Sequence, residues 1–532
     1  MTAALSARTP GAWSPLKGRV FRALWLAMLF SYLGTWMQDV GEAWVMTSTT
    51  ASPLMVALLE TAVGIPLFVF ALPAGAMGDA MDRRKLLIGA QAWMFAVATS
   101  LGIVTLLGGA TPTILLMFAF ALGIGAAATA PVWQAIVPEL VDPVELPAAI
   151  ALSGIAFNVA RALGPAVAGG VISATSPGVV FLLNAACVLF VIVTLVRWQR
   201  RAVASSTPPE QVASGIRAGV RHVLHAPGSK IVLVRAALFF VPASALWALL
   251  PTIGRVSLGL GSLSFGAFVA ALGFGAILTV TLLPRVRERL SLEALVKLGT
   301  LAFAAATLVL AFVRVLPIAF LAMVVAGGGW IAIVSSLNVA IQHSSPDWVR
   351  ARALAVFAIV FQGGVGAGAA LWGGVAERWG LSAALGAGAG VMVCGILFGA
   401  RFRIEARRSE DVAASLHWPK PVLVSEARPS DGPVLVSIEY AIDLANADAF
   451  LAAVHELGRV RRRDGAVEWA VYQDAAAPAR FVEEFLVESW SEHVRQHARV
   501  TIGDRALEAR VASFHVGTEP AQARHLLRAR PA

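Results

Sequence analysis

The chain has 532 residues, 58% of them hydrophobic and 14% charged, with a formal net charge of +10. Soluble domains carry about 25% charged residues, so this balance excludes a single soluble globule and points to lipid as the solvent. The basic residues are spread between apolar runs and gather on no one face, which argues against nucleic acid as a partner.

A membrane-crossing helix needs roughly 20 apolar residues. Runs of that kind follow one another at Phe21–Val40, Pro53–Met77, Leu86–Leu107, Thr113–Val137, Ala148–Ile172 and Val179–Val196. A second set follows at Ile231–Leu250, Leu263–Leu283, Leu292–Val313, Pro317–Ile341, Ala353–Val375 and Leu381–Ala400. None carries the polar stripe of a soluble amphipathic helix. The first run follows Arg8, Lys17, Arg19 and Arg22, exceeds a signal-peptide core and has no cleavage site leading into soluble sequence, so it reads as a retained helix. Cys187 and Cys394 fall inside spans and read as packing residues.

Lys and Arg gather in alternate loops: the N-terminus, Asp79–Lys85, the stretch from Arg197 to Lys230, and Arg285 to Lys297. Loops rich in these residues stay cytoplasmic, so both termini are expected there. One inside loop, Pro138–Pro147, departs from this with Glu139, Asp142 and Glu145. Residues 197–230 form the longest polar break, with a Ser-Ser-Thr-Pro-Pro linker and a possible amphipathic helix at Gly215–His225. The break divides an N-terminal six-helix bundle, residues 1–196, from a C-terminal one, residues 231–402. The halves repeat locally. Gln134, Pro138-Glu139 and Gly169-Gly170-Val171 correspond to Gln342, Pro346-Asp347 and Gly373-Gly374-Val375. Repeated helical halves mark secondary transporters, whose small-molecule site lies between the halves near the midplane.

Ionisable groups at membrane depth are costly and usually functional. Arg161 lies near the middle of span five, Glu60 within span two, and Asp39 and Glu42 near the outer end of span one. Arg161 either pairs with a carboxylate such as Glu60 or meets an anionic substrate, while Glu42 is expected to be solvated at the rim. Asn158, Gln362 and Asn338 are polar groups that line the cavity or join helices.

Two motifs carry a resemblance. Gly75-Ala-Met-Gly-Asp79-Ala-Met-Asp82-Arg83-Arg84-Lys85 resembles the signature loop between helices two and three of the major facilitator superfamily. Gly75, Asp79, Arg83 and Arg84 sit at the matching positions; Ala80 replaces the usual first Arg and Asp82 the second Gly. The resemblance implies a loop that locks the cytoplasmic side when the transporter faces outward. In span five, Gly164-Pro165-Ala-Val-Ala-Gly169-Gly170 is similar to the Gly-Pro motif of drug-exporting antiporters, which bends a helix and lets another approach. Span four has Gly123 and Gly125, but Ala119 stands where proton-coupled members carry an Arg, so coupling through that residue is excluded.

After a charged, Pro-punctuated linker at residues 403–431, residues 432–520 read as a small soluble domain with its own core. Alternation at Val434, Val436, Ile438 and Tyr440 predicts a strand. Asn446 caps a helix bearing Phe450, Leu451, Val454 and Leu457. Strands around Val467–Val471 and Phe481–Val487, a helix around Trp490–Val500 and a strand at Val511–Val516 complete β-α-β-β-α-β, the ferredoxin-like order. Such a domain commonly dimerises through its open sheet face. His493 and His497 are one helical turn apart, as two metal ligands are, but no third ligand is evident, so neither metal nor cofactor is expected. Arg463-Asp464-Gly465-Ala466 with Trp469, Glu483-Glu484-Phe485, Ser489-Trp490-Ser-Glu492-His493, His497 and Arg499-Val-Thr501 resemble the dimeric α/β-barrel family that includes antibiotic-biosynthesis monooxygenases.

Together the two parts look like the transmembrane secretion effectors, relatives of enterobactin exporters. That resemblance implies an exporter of siderophores, drugs or secondary metabolites that is not itself an enzyme. No G-x-x-x-x-G-K-S/T loop is present, so an ion gradient would supply the energy. The alternative is a membrane-tethered enzyme whose tail modifies what the membrane part exports; a non-transporting sensor is the third reading.

Overall fold

The computed structural model describes residues 11–80, 82–198, 212–404, 413, 415, 417, 418 and 431–528, without the side chains of 71–80, 130–131, 134–135, 212–216, 218 and 498. The expected linkers around 199–211 and most of 405–430, the Gln134 side chain of the repeat and Gly215 therefore lie outside the described side chains.

All twelve expected spans form helices long and apolar enough to cross a membrane. In the first half these are α1 (Arg19–Thr49), α2 (Pro53–Ala80), α3 (Arg83–Leu106), α4 (Pro112–Ile136), α5 (Leu146–Ala174) and α6 (Pro177–Arg197). An amphipathic helix, α7 (Val212–His225), follows. The second half comprises α8 (Pro227–Thr252), α9 (Ser262–Arg287), α10 (Leu292–Phe312), α11 (Leu316–His343), α12 (Asp347–Trp379) and α13 (Leu381–Gly399). Proline opens α2, α4, α6 and α8, where its missing N–H costs nothing. Asp82 caps α3 by accepting from the backbone N–H of Arg84 and Lys85. Arg83 pairs with Glu139 at 2.7 Å, which explains the acidic exception in that inside loop. Arg84 donates to the carbonyls of Leu195 and Val196 at 2.7 Å, satisfying the end of α6.

Contacts divide the chain into two compact units. The first comprises residues 1–209, 235–336 and 358–401. The second joins 210–234 and 337–357 to the tail, 402–532. The expected soluble domain thus shares its unit with α7 and the α11–α12 junction.

In the tail, β1 (Val434–Ala441), α14 (Ala447–Asp464), β2 (Ala466–Gln473), β3 (Arg480–Val487), α15 (Trp490–Arg499), α16 (Ile502–Ala512) and β4 (Ala523–Leu527) follow in order. The sheet runs β2-β3-β1-β4, antiparallel throughout, as the ferredoxin-like order requires. Phe450, Val454, Phe481, Phe485 and Val436 build the core beneath it. Gly465 ends α14 at φ 147°, a conformation that L side chains rarely adopt. The final strand differs from expectation. Val511 and Ala512 end α16, which a Thr501–Asp504 capping box starts, residues 513–516 turn out of it, and the last strand lies at Ala523–Leu527. Its register places His525 opposite Val436 and brings a third imidazole to His493 and His497 that local spacing did not reveal.

The tail interior is occupied by charge. Arg461 meets Glu483 at 3.2 Å and Glu508 at 2.6 Å, while Tyr440 and Trp469 donate to Glu483 at 3.0 Å. Arg463 bridges Asp464 and Asp504 at 2.7 and 2.5 Å, and Arg499 holds Glu492 at 2.5 Å.

Candidate functional site

Arg161 is 4% exposed on α5. Its Nη2 donates to Asn158 Oδ1 at 3.0 Å, and Asn158 in turn donates to the Gly154 carbonyl at 2.8 Å. Among the described residues no carboxylate reaches ion-pair distance of Arg161, so the expected partnership with Glu60 does not form in this conformation. Arg161 Nε has no partner.

Phe157 lies beside this arginine and begins a chain of rings that crosses between the halves. Its guanidinium lies 5.8 Å from the Phe157 ring. Phe157 meets Tyr32 and Trp36 of α1 at 5.3 and 6.2 Å. Trp36 lies 6.5 Å from Trp247 of α8, which stands edge-on to Trp330 of α11 at 5.1 Å. Trp247 Nε1 is a second buried donor without a partner.

A carboxylate group lies on α1 and α2. Glu42 is buried, not solvated at a rim as expected; Gln38 Nε2 donates to it at 2.9 Å. Gln38 in turn accepts from Asn184 of α6. Sequence reasoning missed Gln38 and Asn184, since a lone amide in an apolar run carries no partner information. Asp39 and Glu60 keep open surface although protein surrounds them, and their charges lie within reach of each other and of Glu42. Gln362 is half-buried on α12, where its backbone carbonyl faces Gly64 of α2. Asn338 accepts from Gln342 at 2.6 Å one turn along α11.

The glycines of α5 set its contacts. A Cβ on Gly169 would stand 2.5 Å from the Ser262 carbonyl of α9, and one on Gly266 would stand 2.4 Å from the Pro165 carbonyl. Gly164 lies equally close to Trp36 of α1. Helices from the two halves thus approach backbone to backbone beside Arg161. Gly75 and Asp79 lie on the last turns of α2, where side chains are outside the described ones. Arg83 and Arg84 make the contacts given above.

The described polar contacts between halves gather toward the end of the bundle opposite Arg83. Arg255 donates to the Trp44 carbonyl at 2.9 Å and to Ser48, with its guanidinium 4.2 Å over the Trp44 ring. Ser52 donates to Glu377 at 2.8 Å, and the Leu54 N–H does so at 3.3 Å. Thr61 donates to the Gly366 carbonyl at 2.7 Å.

A family profile described as transmembrane secretion effector matches residues 10–532. The chain belongs to that family. This secretion effector is 23% identical over 329 residues to the staphyloferrin A transporter of Staphylococcus aureus, across 61% of this chain and 82% of that protein. Its fold is similar to a bacterial homologue of the human lysosomal transporter Spinster in an inward-facing, unoccupied conformation. The TM-score there is 0.57 at 16% identity, covering 73% of this chain and 95% of that one. It is likewise similar to the nucleoside transporter NupG, with a TM-score of 0.58 at 12% identity, covering 72% and 99%. The secretion effector is therefore a multi-pass membrane transporter of the major facilitator type.

Proposed function

We propose that this transporter exports small anionic organic molecules of the siderophore type across the bacterial inner membrane, driven by an ion gradient. The observation that carries this reading is Arg161. A buried guanidinium with an unpartnered Nε lies beside Phe157, the first ring of a chain that runs through Trp36 to Trp247 of the other half, and a carboxylate-bearing substrate would complete it. Trp247 Nε1 is a further donor on the opposite half. Asp39, Glu42 and Glu60 are the coupling groups in this reading, since Ala119 removes the usual arginine. The staphyloferrin A transporter relative supports the substrate class, and the Gly164-Pro165 motif supports export. With both termini cytoplasmic, the contacts at Arg255 and Glu377 close the outer end.

Everted membrane vesicles test this. Energised vesicles should accumulate labelled anionic siderophores, and an ionophore should abolish accumulation. Accumulation confined to right-side-out vesicles, or indifferent to ionophores, rejects export by an ion gradient.

In the same reading the tail's open sheet face pairs with a second copy. Leu435, Ala470, Tyr472, Glu484 and Leu486 line a shallow hollow of about 460 Å³ there. Light scattering of the detergent-purified protein should give a dimer that Tyr472→Glu converts to monomer; a monomeric parent protein rejects the pairing.

A further inference from the structure

The tail carries a cluster that the transport reading does not use. His493 and His497 face the same way on α15, and β4 brings His525 against them. The three ligating nitrogens lie within 4.8 Å of one another. The rings of His493 and His497 are 5.0 Å apart and those of His493 and His525 are 4.7 Å apart. His493 is buried, and the other two are half-buried, so solvent reaches the cluster from one side.

The orientation of His493 is set from behind. Its Nδ1 faces Gln496 Oε1 at 3.3 Å, so Nδ1–H donates to the amide and Nε2 keeps its lone pair. That arrangement, a second partner on the far nitrogen, is how metal-binding imidazoles are fixed. His493 Nε2 then meets His497 Nε2 at 3.4 Å, which is long for a hydrogen bond. Two nitrogens bound tetrahedrally at about 2.0–2.1 Å lie about 3.3–3.4 Å apart. The separation is that of two ligands on one ion.

The surroundings keep these rings neutral, as metal binding requires. Trp490 lies 5.5 Å from His493 and 6.3 Å from His525, and Trp418 stands edge-on to His497 at 4.9 Å.

We propose that His493, His497 and His525 form a binding site for one divalent transition-metal ion. Three imidazoles and a solvent-facing fourth position suit zinc and its neighbours, not magnesium or calcium, which take oxygen ligands. The ion would tie edge strand β4 to α15.

The test uses the full-length, tag-free protein in detergent, stripped with a chelator and titrated with Co²⁺ as a visible probe and then with Zn²⁺. The parent protein should bind one ion per chain with the absorption of a nitrogen-ligated cobalt, and Zn²⁺ should displace it and raise the unfolding temperature. His525→Gln, at a half-buried position that need not disturb folding, should weaken binding at least about tenfold and remove the thermal shift. His497→Gln should do the same. A parent protein that binds neither ion at 100 µM, roughly the weak limit for a built site, overturns the proposal. So does a folded His525→Gln protein that binds as tightly as the parent.

Discussion

Arg161 shows what a single residue reveals and conceals. Its cost at membrane depth was legible, because one charge inside an uncharged run stands out in any hydropathy reading. Its partner was not. The sequence left a carboxylate and an anionic substrate both open, and the fold supplies Asn158 one turn away, leaving Nε unpartnered. Arg161→Lys replaces a planar fork with a point charge. It should raise the substrate concentration for half-maximal transport about tenfold, corresponding to one lost charge-assisted bond of about 1.4 kcal/mol, while leaving thermal stability without substrate nearly unchanged. An equal fall in stability with no change in substrate dependence would make Arg161 a structural contact only. Glu60→Gln should not rescue Arg161→Gln, since the two do not pair; a rescued double variant would restore the pairing idea. Glu42 shows the converse, because the end of an apolar run reads as a rim while Gln38 holds the carboxylate inside.

Among the elements, α7 was legible as an amphipathic segment, but not what its apolar face covers. Arg221 pairs with Glu492 at 3.0 Å, and His222 lies buried edge-on to Trp348 at 5.5 Å, both ring nitrogens unpartnered. Arg499 in turn lies 4.3 Å over the same Trp348 ring. Burial, with Arg463 and Arg499 nearby and Asp504 opposing them, brings His222 from 6.5 to about 3. A histidine lowered in the folded state takes up its proton only on release. Its stabilising effect is therefore complete above about pH 6.5 and falls as pH drops toward 3, by about 1.4 kcal/mol per pH step. Glu492 and Asp504 are held below their ordinary range, so their contributions persist until lower pH. The unfolding temperature of the whole protein should thus decline between pH 7 and 5, and His222→Phe should flatten that decline. The same slope in both proteins would remove His222 as the cause. The tail's sheet was readable where apolar residues alternate, as at Val434–Tyr440. The last strand was not, because Ala523–Leu527 is an exposed edge with no buried alternation. Val511 and Phe514 imitated a strand from the end of a helix. The segments that carried the family resemblance include five members of the buried charge networks, Arg463, Asp464, Glu483, Glu492 and Arg499, but not Arg461, Asp504 or Glu508.

At the scale of the whole transporter, twelve spans and two halves were legible because lipid demands long uncharged helices and each span reports itself locally. The closure between halves was not, since Ser52 and Glu377 are 325 positions apart and each reads as an ordinary loop residue. Glu377 accepts from the Leu54 N–H, the first that α2 offers, and from the Ser52 hydroxyl just before it, so a carboxylate of one half caps a helix of the other. Arg255 performs the matching task on α1 through Trp44 and Ser48. If the proposed transport proceeds by alternating access, these contacts break whenever this end opens. Each net hydrogen bond contributes about 1 kcal/mol, so removing one should shift the ratio of closed to open forms about fivefold. Leu54 reports the change, because it sits where α2 meets Gly373 of α12. In a background lacking Cys187 and Cys394, Leu54→Cys should react slowly with an impermeant maleimide. Adding Arg255→Gln or Glu377→Gln should speed the reaction several-fold, and both together should speed it more. Substrate that favours the closed form should slow it again. Labelling that stays unchanged in both single variants would mean that the two contacts are incidental and that the close helix approaches, α5 to α9 at Gly169 and Gly266 and α2 to α12 at Gly64 and Gly373, hold the halves together.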